Sequence, residues 1–266
     1  MRIRHHASLG LAATACLVLS GCTNAADWNA NRSSQIHSFD TSSIQAQPDI
    51  IAKLPQGALE DGVLDVAAST DYAPAEFLDP SGTAVGYDVD LTNAIAAVLG
   101  VKGKVHTAEF DSIIASIGSK YDAGISSFTV TPERTAEVDM TAYINVGSRF
   151  NVQAGNPKGV ETSDHLQLCG RTIGVQVGTA QETTMRDAAD KCAQAGKPVL
   201  SVRSYSKQSE ATTGLVGGTI DATYSDSTVA GYAVELTDGQ IVTLGEIEDA
   251  APQGVVTPKA DPQFTA

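Results

Sequence analysis

Between Gly62 and Asp226 the chain runs twice through the same alternation of short apolar strand and amphipathic helix, and this repeat limits the possible folds more than any other feature. Val63-Leu64-Asp65-Val66-Ala67 alternates and is rich in β-formers, so it reads as a strand. Asp71 to Gly86, with two prolines and two glycines, reads as loop or hairpin. Leu91, Ala94, Ile95, Val98 and Leu99 then recur at helical spacing, with Asp88 and Asp90 near the helix start and Gly100 placed to end it. Val105 to Phe110 reads as a second strand, and Asp111 opens a helix whose Ile113, Ile114 and Ile117 share a face. Tyr121 to Ser127 is a further short strand that ends in a polar loop.

The pattern restarts at Thr172 to Val177, a strand followed by Gly178-Thr179-Ala180-Gln181-Glu182, in which Thr179 and Glu182 have capping-box spacing. Ser201-Val202-Arg203 is a short strand, Ser206 to Val216 a helix weakened by Thr212, Thr213 and Gly214, and Ile220 to Tyr224 another strand. Strand and helix in alternation build a doubly wound α/β layer. Two such halves, joined by an extended stretch from Ser148 to Asn156, predict two lobes with a ligand cleft between them.

Composition fits that reading and excludes others. Hydrophobic residues make up 42% and charged residues 18% of the 266, enough apolar surface for a sizeable core. A net charge of −14 leaves no basic face for nucleic acid or anionic lipid. Aromatics are 5% and the one tryptophan is Trp28, so neither a membrane barrel with aromatic girdles nor a base-stacking surface is expected.

At the N-terminus, Arg2 and Arg4 precede an apolar run from Ala7 to Leu19 without acid or base, which has the form of a secretory signal and is too short to span a bilayer. It ends in Leu19-Ser20-Gly21-Cys22, which resembles the lipobox of bacterial lipoproteins, where the cysteine thiol receives diacylglycerol and the chain is cut just before it. Cys16 is then lost and Cys22 lipidated. The remaining two thiols of an exported protein, Cys169 and Cys192, are most simply a disulfide. A metal pair lacks support, since none of the five histidines has ligand-type spacing with the cysteines. Thr23 to about Pro55 is polar, without sustained period, and reads as a tether.

Gly86-Tyr87-Asp88-Val89-Asp90-Leu91, followed by Ala94-Ile95-Ala96 and Leu99, resembles the signature of family 3 extracellular solute-binding proteins, the polar amino acid receptors of ABC importers. The resemblance continues through Phe110-Asp111-Ser112-Ile113-Ile114, Ile125 to Arg134, Gly178 to Glu182 and Asp221 to Asp226. It implies the two-lobed type II periplasmic-binding-protein fold, with a hinged cleft that clamps a free amino acid by its charged ends. Arg134 matches the arginine that grips the α-carboxylate, with Thr129 beside it, and locally Thr131 and Pro132 suit a helix start. Thr179 and Ala180 match residues that offer N–H groups to the same carboxylate, although relatives often carry a hydroxyl where Ala180 stands. Asp226, with Ser126 and Ser127, matches the receptor of the α-ammonium. Tyr72 and Phe110 match the aromatic sandwich of the side chain, and Gln176 a side-chain contact. Ser69 stands where relatives often have Asp, which weighs against a lysine or arginine ligand.

The expected organisation is a signal peptide (1–21), lipidated Cys22 with a flexible tether (22–57), a first lobe (58–150), a second lobe (151–246) and a return to the first lobe (247–266). Relatives usually continue with further helices past the stretch resembling Gly254 to Lys259, so this return is expected to be shortened. The resemblance implies a monomeric lipoprotein outside the cytoplasm, attached to the cell membrane through lipid alone, that binds a free amino acid, closes by a hinge and delivers it to an ABC permease, with no cofactor, metal or catalysis. Two alternatives remain open at this point. One is a dehydratase acting on small carboxylates, a chemistry known on this fold, although no nucleophile elbow, metal cluster or phosphate loop is present in the sequence. The other is a sensory lipoprotein that binds an amino acid without a transporter.

Overall fold

In the computed structural model, which describes residues 38–259, both strand–helix series form, and two long strands join them. A short helix α1 (Pro48–Ile51) precedes the first series. That series is β1 (Val63–Ala68), a small sheet of β2 (Asp71–Tyr72), β3 (Glu76–Leu78) and β4 (Ala84–Val85), then α2 (Tyr87–Leu99), β5 (Lys102–Thr107), α3 (Phe110–Ser116), β6 (Ala123–Thr129) and α4 (Pro132–Glu137). After β7 (Val138–Gln153) the second series is β8 (Thr172–Gln176), α5 (Ala180–Gln194), β9 (Ser201–Tyr205), α6 (Gln208–Val216), β10 (Ala222–Asp226) and α7 (Ser227–Leu236). β11 (Ile241–Pro258) closes the described chain.

The main sheet has eight strands in the order β5-β1-β6-β11-β7-β10-β8-β9. β1 pairs in parallel with β5 and β6, and β8 in parallel with β9 and β10, so each lobe has a parallel core of three strands. β6 is buried from Ala123 to Phe128 without alternation, as a parallel strand covered on both faces must be. One face packs Phe110, Ile113, Phe128 and Val256; the other packs Leu64, Val66, Ala96 and Ile125. The second lobe encloses Phe150, Ile173, Val175, Met185, Leu200 and Tyr224. There Cys169 and Cys192 form the expected disulfide, with Cα atoms 5.6 Å apart.

β7 and β11 run antiparallel and cross from one lobe to the other. Their pairing breaks register between Leu244 and Glu248 and between Glu248 and Ala251, opposite Val146 to Phe150. The backbones approach so closely here that a Cβ on Gly147 would sit 2.4 Å from Ile247 Cγ2 and 2.6 Å from the Glu248 carbonyl oxygen. The lobe boundaries expected at 150/151 and 246/247 fall inside these two strands.

Three features differ from the sequence-based expectation. The strand placed at Val105 to Phe110 lies at Lys102–Thr107, because pairing of Val63 with Lys102 sets its register and Phe110 already belongs to α3. The extended stretch placed at Ser148 to Asn156 begins ten residues earlier, at Val138. Part of the predicted flexible tether is ordered: Asp40 caps a 3-10 turn at Thr41–Ser43, Pro48 starts α1, and the segment docks on α2. The Phe39 N–H donates to Asp90 Oδ2 at 2.9 Å and the Gln47 N–H to the Val98 carbonyl at 2.8 Å. The signal peptide, Cys22 and residues 23–37 and 260–266 lie outside the described residues.

Candidate functional site

Each half of the fold carries polar residues just beyond the C-terminal ends of its parallel strands, where α/β sheets bind ligands. In the first lobe these are Ser69 after β1, Ser126, Ser127 and Thr129 on β6, and Arg134 on α4, with Tyr72 on β2 and Phe110 opening α3. In the second they are Gln176 ending β8, Thr179 and Ala180 at the start of α5, and Asp226 ending β10. The two sets face each other and touch. Arg134 Nη2 donates to the Gly178 carbonyl at 3.0 Å, Gln176 Nε2 to Ser69 Oγ at 3.2 Å, and the Asp226 N–H to the Tyr72 hydroxyl at 3.2 Å.

Arg134 is placed by its own helix. Thr131 accepts the Arg134 N–H as N-cap and Pro132 takes the first position, as expected. The guanidinium donates through Nη1 to the Thr129 carbonyl at 2.8 Å and lies 5.4 Å and 5.5 Å from the ring centroids of Phe110 and Phe128. Those rings stack on each other at 4.8 Å, so Phe110 supports the arginine as well as bordering the cleft. Burial pulls the Arg134 pKa below its ordinary value, and the negative charge of Asp226 is the largest influence opposing this.

Across the cleft, Thr179 accepts the Glu182 N–H at 3.1 Å and donates to the Gln176 carbonyl at 2.7 Å. Glu182 reaches back to the Gly178 N–H at 2.7 Å rather than to that of Thr179. The Thr179 hydroxyl is therefore spent on capping, and the first-turn N–H groups of α5, starting with Ala180, are what the helix offers to an anion.

Asp226 is only 4% exposed. Gln181 Nε2 donates to its Oδ1 at 2.7 Å and Gln253 Nε2 to its Oδ2 at 2.6 Å. Burial nonetheless pushes its carboxyl up to about 6, a value that the hydrogen bonds and the positive charge of Arg134 only partly hold down. The site thus sets one cation and one carboxylate, both desolvated, on opposite lobes.

Behind this pair is a second acidic group that the sequence reading missed. Ser127 has φ of 50°, a left-handed conformation rare for serine, and is held there by Asp88, whose Oδ2 accepts the Ser127 N–H at 2.8 Å and its hydroxyl at 3.1 Å. Tyr143 donates to Asp88 Oδ1 at 2.7 Å. Ser126 accepts the Ser69 N–H at 2.9 Å and donates to Glu76 Oε1 at 2.5 Å. Glu76 is fully buried beside Asp88, with which it shares a hydrogen bond; burial first, then the charge of Asp88, raise its pKa well above the carboxylate range. The turn bringing Glu76 here depends on Gly86, at φ 119°, where a Cβ would lie 2.3 Å from the Ala75 carbonyl oxygen.

The ten residues singled out as ligand contacts therefore lie in the two facing sets at the strand ends and helix starts. Glu76, Gln181 and Gln253 join them without having been foreseen. Gln181 sits inside the recognised Gly178 to Glu182 run, while Gln253 lies on β11, which carries no periodic signal. Among the described residues no three His, Cys, Asp or Glu side chains are grouped to hold a metal ion, and no helix is long and apolar enough to cross a membrane.

Comparison with known proteins agrees with this architecture. Residues 64–264 match the model of the family described as bacterial extracellular solute-binding proteins, family 3. The arginine-binding protein ArgT of Corynebacterium glutamicum is 31% identical over 255 residues, 95% of this chain and 81% of that protein. Among solved structures, an ancestral arginine-binding protein bound to arginine superposes with a TM-score of 0.70 at 30% identity, over 76% of this chain and 87% of that one. The ancestral amino acid-binding protein AncCDT-1, a precursor of cyclohexadienyl dehydratase, does so with a TM-score of 0.69 at 29% identity, over 79% and 87%. The fold is the two-lobed type II periplasmic-binding-protein fold, and the chain belongs to the bacterial extracellular solute-binding proteins, family 3.

Proposed function

We propose that this protein captures a free amino acid outside the cytoplasm by closing its two lobes about the β7–β11 crossing, and delivers it to an ABC importer. The observation that carries this reading is the opposed pair of Arg134 and Asp226, a buried cation on one lobe and a buried carboxylate on the other. A zwitterion satisfies both at once. Its α-carboxylate goes to Arg134, beside the first-turn N–H groups of α5, and its α-ammonium goes to Asp226 with Ser126 and Ser127. The ligand side chain lies between Tyr72 and Phe110 and runs toward Ser69 and Gln176. Two charge-assisted contacts at about 1.5–3 kcal/mol each, with side-chain burial, give affinity on the order of micromolar. Closure follows because only the joined lobes offer both contacts.

Arginine is the first candidate. ArgT and the ancestral structure carry that ligand in their names. Anchoring through diacylglyceryl-Cys22, monomeric behaviour and division into lobes at the β7–β11 crossing belong to the same proposal. A thermal-shift screen of the soluble chain from Thr23 against the twenty amino acids tests it. A ligand at a hundred times its dissociation constant adds about 2.7 kcal/mol, so a shift confined to one or two amino acids is expected. No shift with any of them, from a folded chain, refutes the reading.

A further inference from the structure

α6 begins without a cap of its own. Its N-cap position is Lys207, which makes no side-chain capping bond, yet the Ser209 amide is in the buried part of the molecule at 7% exposure. A helix N–H in that position needs an acceptor, and the acceptor comes from the other lobe: Asp71 Oδ2 accepts the Ser209 N–H at 3.1 Å. Asp71 lies on β2, one residue before Tyr72, and its side chain faces Lys207 and Glu210 at the helix start. Beside it a cavity of about 360 Å³ at the cleft mouth is lined from both lobes, by Ser69, Thr70, Asp79 and Glu109 as well as Lys207.

We propose that Asp71 is a positioning residue for closure, a latch that caps α6 only when the two lobes meet and so holds the cleft shut without touching the bound solute. This rests on the hinge-closure reading above. With the lobes apart, water satisfies the Ser209 amide; with them together and Asp71 absent, the amide is buried and unpaired. Burial pushes the Asp71 carboxyl above its ordinary range, while its hydrogen bonds from Ser209 and the charge of Lys207 hold it down. An asparagine can supply the same acceptor.

The test is calorimetric titration with L-arginine of the wild type and of Asp71→Ala, Asp71→Asn, Lys207→Ser and the Asp71→Ala/Lys207→Ser double variant. Asp71→Ala should weaken binding roughly two- to thirty-fold, the range for losing a helix cap, by faster dissociation. Asp71→Asn should retain the affinity. Lys207→Ser gives α6 its own cap, so the double variant should recover most of what Asp71→Ala loses. Hydrogen exchange at the Ser209 amide is read on the same proteins saturated with the amino acid that binds best, since the cap forms only in the joined lobes. Protection lost in Asp71→Ala and kept in Asp71→Asn supports the latch; exchange unchanged in Asp71→Ala overturns it. Failure of the wild type to bind L-arginine while another amino acid closes it overturns the arginine reading alone, since exchange read with that amino acid still decides the latch. Equal losses in Asp71→Ala and in the double variant also refute the capping role.

Discussion

Asp226 should resist closure until an ammonium arrives, and replacing it with asparagine should shut the cleft without a solute. In the joined lobes its carboxyl is pushed up to about 6 from an ordinary 3.8, chiefly by burial. The difference corresponds to about 3 kcal/mol of ionisation free energy, or roughly a hundredfold in the closed population. Because the pKa is raised in the closed form, closing takes up a proton between these two values. Closure is therefore favoured below about pH 4, loses that advantage as pH rises to about 6, and is flat above. Asp226→Asn removes the ionised form, and its amide can be accommodated: Gln253 Oε1 is buried without a partner, so rotating that amide presents an acceptor to the new Nδ2. The Asp71 carboxyl is shifted in the same direction, so the two proteins are compared at one pH, about 7.5, above the value for Asp226. Small-angle scattering without added amino acid should show the asparagine variant more compact than the wild type at pH 7.5, and the wild type approaching it at pH 4.5. An asparagine variant as extended as the wild type at pH 7.5, or a wild type indifferent to pH, refutes the reasoning.

Other consequences follow from the same geometry. Arg134→Ala leaves the solute carboxylate without its main partner in a desolvated site, which costs about 3–5 kcal/mol, so calorimetry should register binding weaker by at least about a hundredfold for every amino acid. Glu76→Gln keeps the hydrogen bond from Ser126 and changes little charge, because burial and Asp88 already disfavour ionised Glu76, so a competition assay should show L-arginine and uncharged amino acids affected alike. A loss confined to L-arginine would contradict this and place an ionised Glu76 in specificity. Reducing the Cys169–Cys192 bridge, which closes a loop with a sequence separation of 23, should cost about 3 kcal/mol and lower the melting temperature by roughly 6–12 °C; an unchanged melt would contradict a structural role.

What could be read from the sequence divides along physical lines. β1 was legible from its alternation, and β6 and β8 because a parallel strand buried on both faces is a short run of strand formers between turn residues. The starts of α4 and α5 were legible because Thr131 with Pro132, and Thr179 with Glu182, are local capping chemistry. α1 was not, since four residues are too few to show a helical period and its stability comes from docking on α2. Of β7 only the end, Ser148 to Gln153, was legible, and β11 was not, because crossing strands bury alternate faces in different lobes and so carry no single period; Thr141 and Ala142 are exposed while Phe150 to Val152 are buried. The positions of Arg134 and Asp226 came from family resemblance. Their mutual influence, the two glutamines on Asp226 and the buried Glu76 exist only once residues far apart in the chain are brought together.

The central claim is that both charged ends of a free amino acid are held, one by each lobe. The most direct test is a calorimetric titration of the soluble chain with the best-binding amino acid, L-arginine first, beside its methyl ester and its N-acetyl derivative. Neutralising the carboxylate strands Arg134, and neutralising the ammonium strands Asp226, so tight binding of the free amino acid alone is predicted. Comparable binding of either derivative would contradict the account.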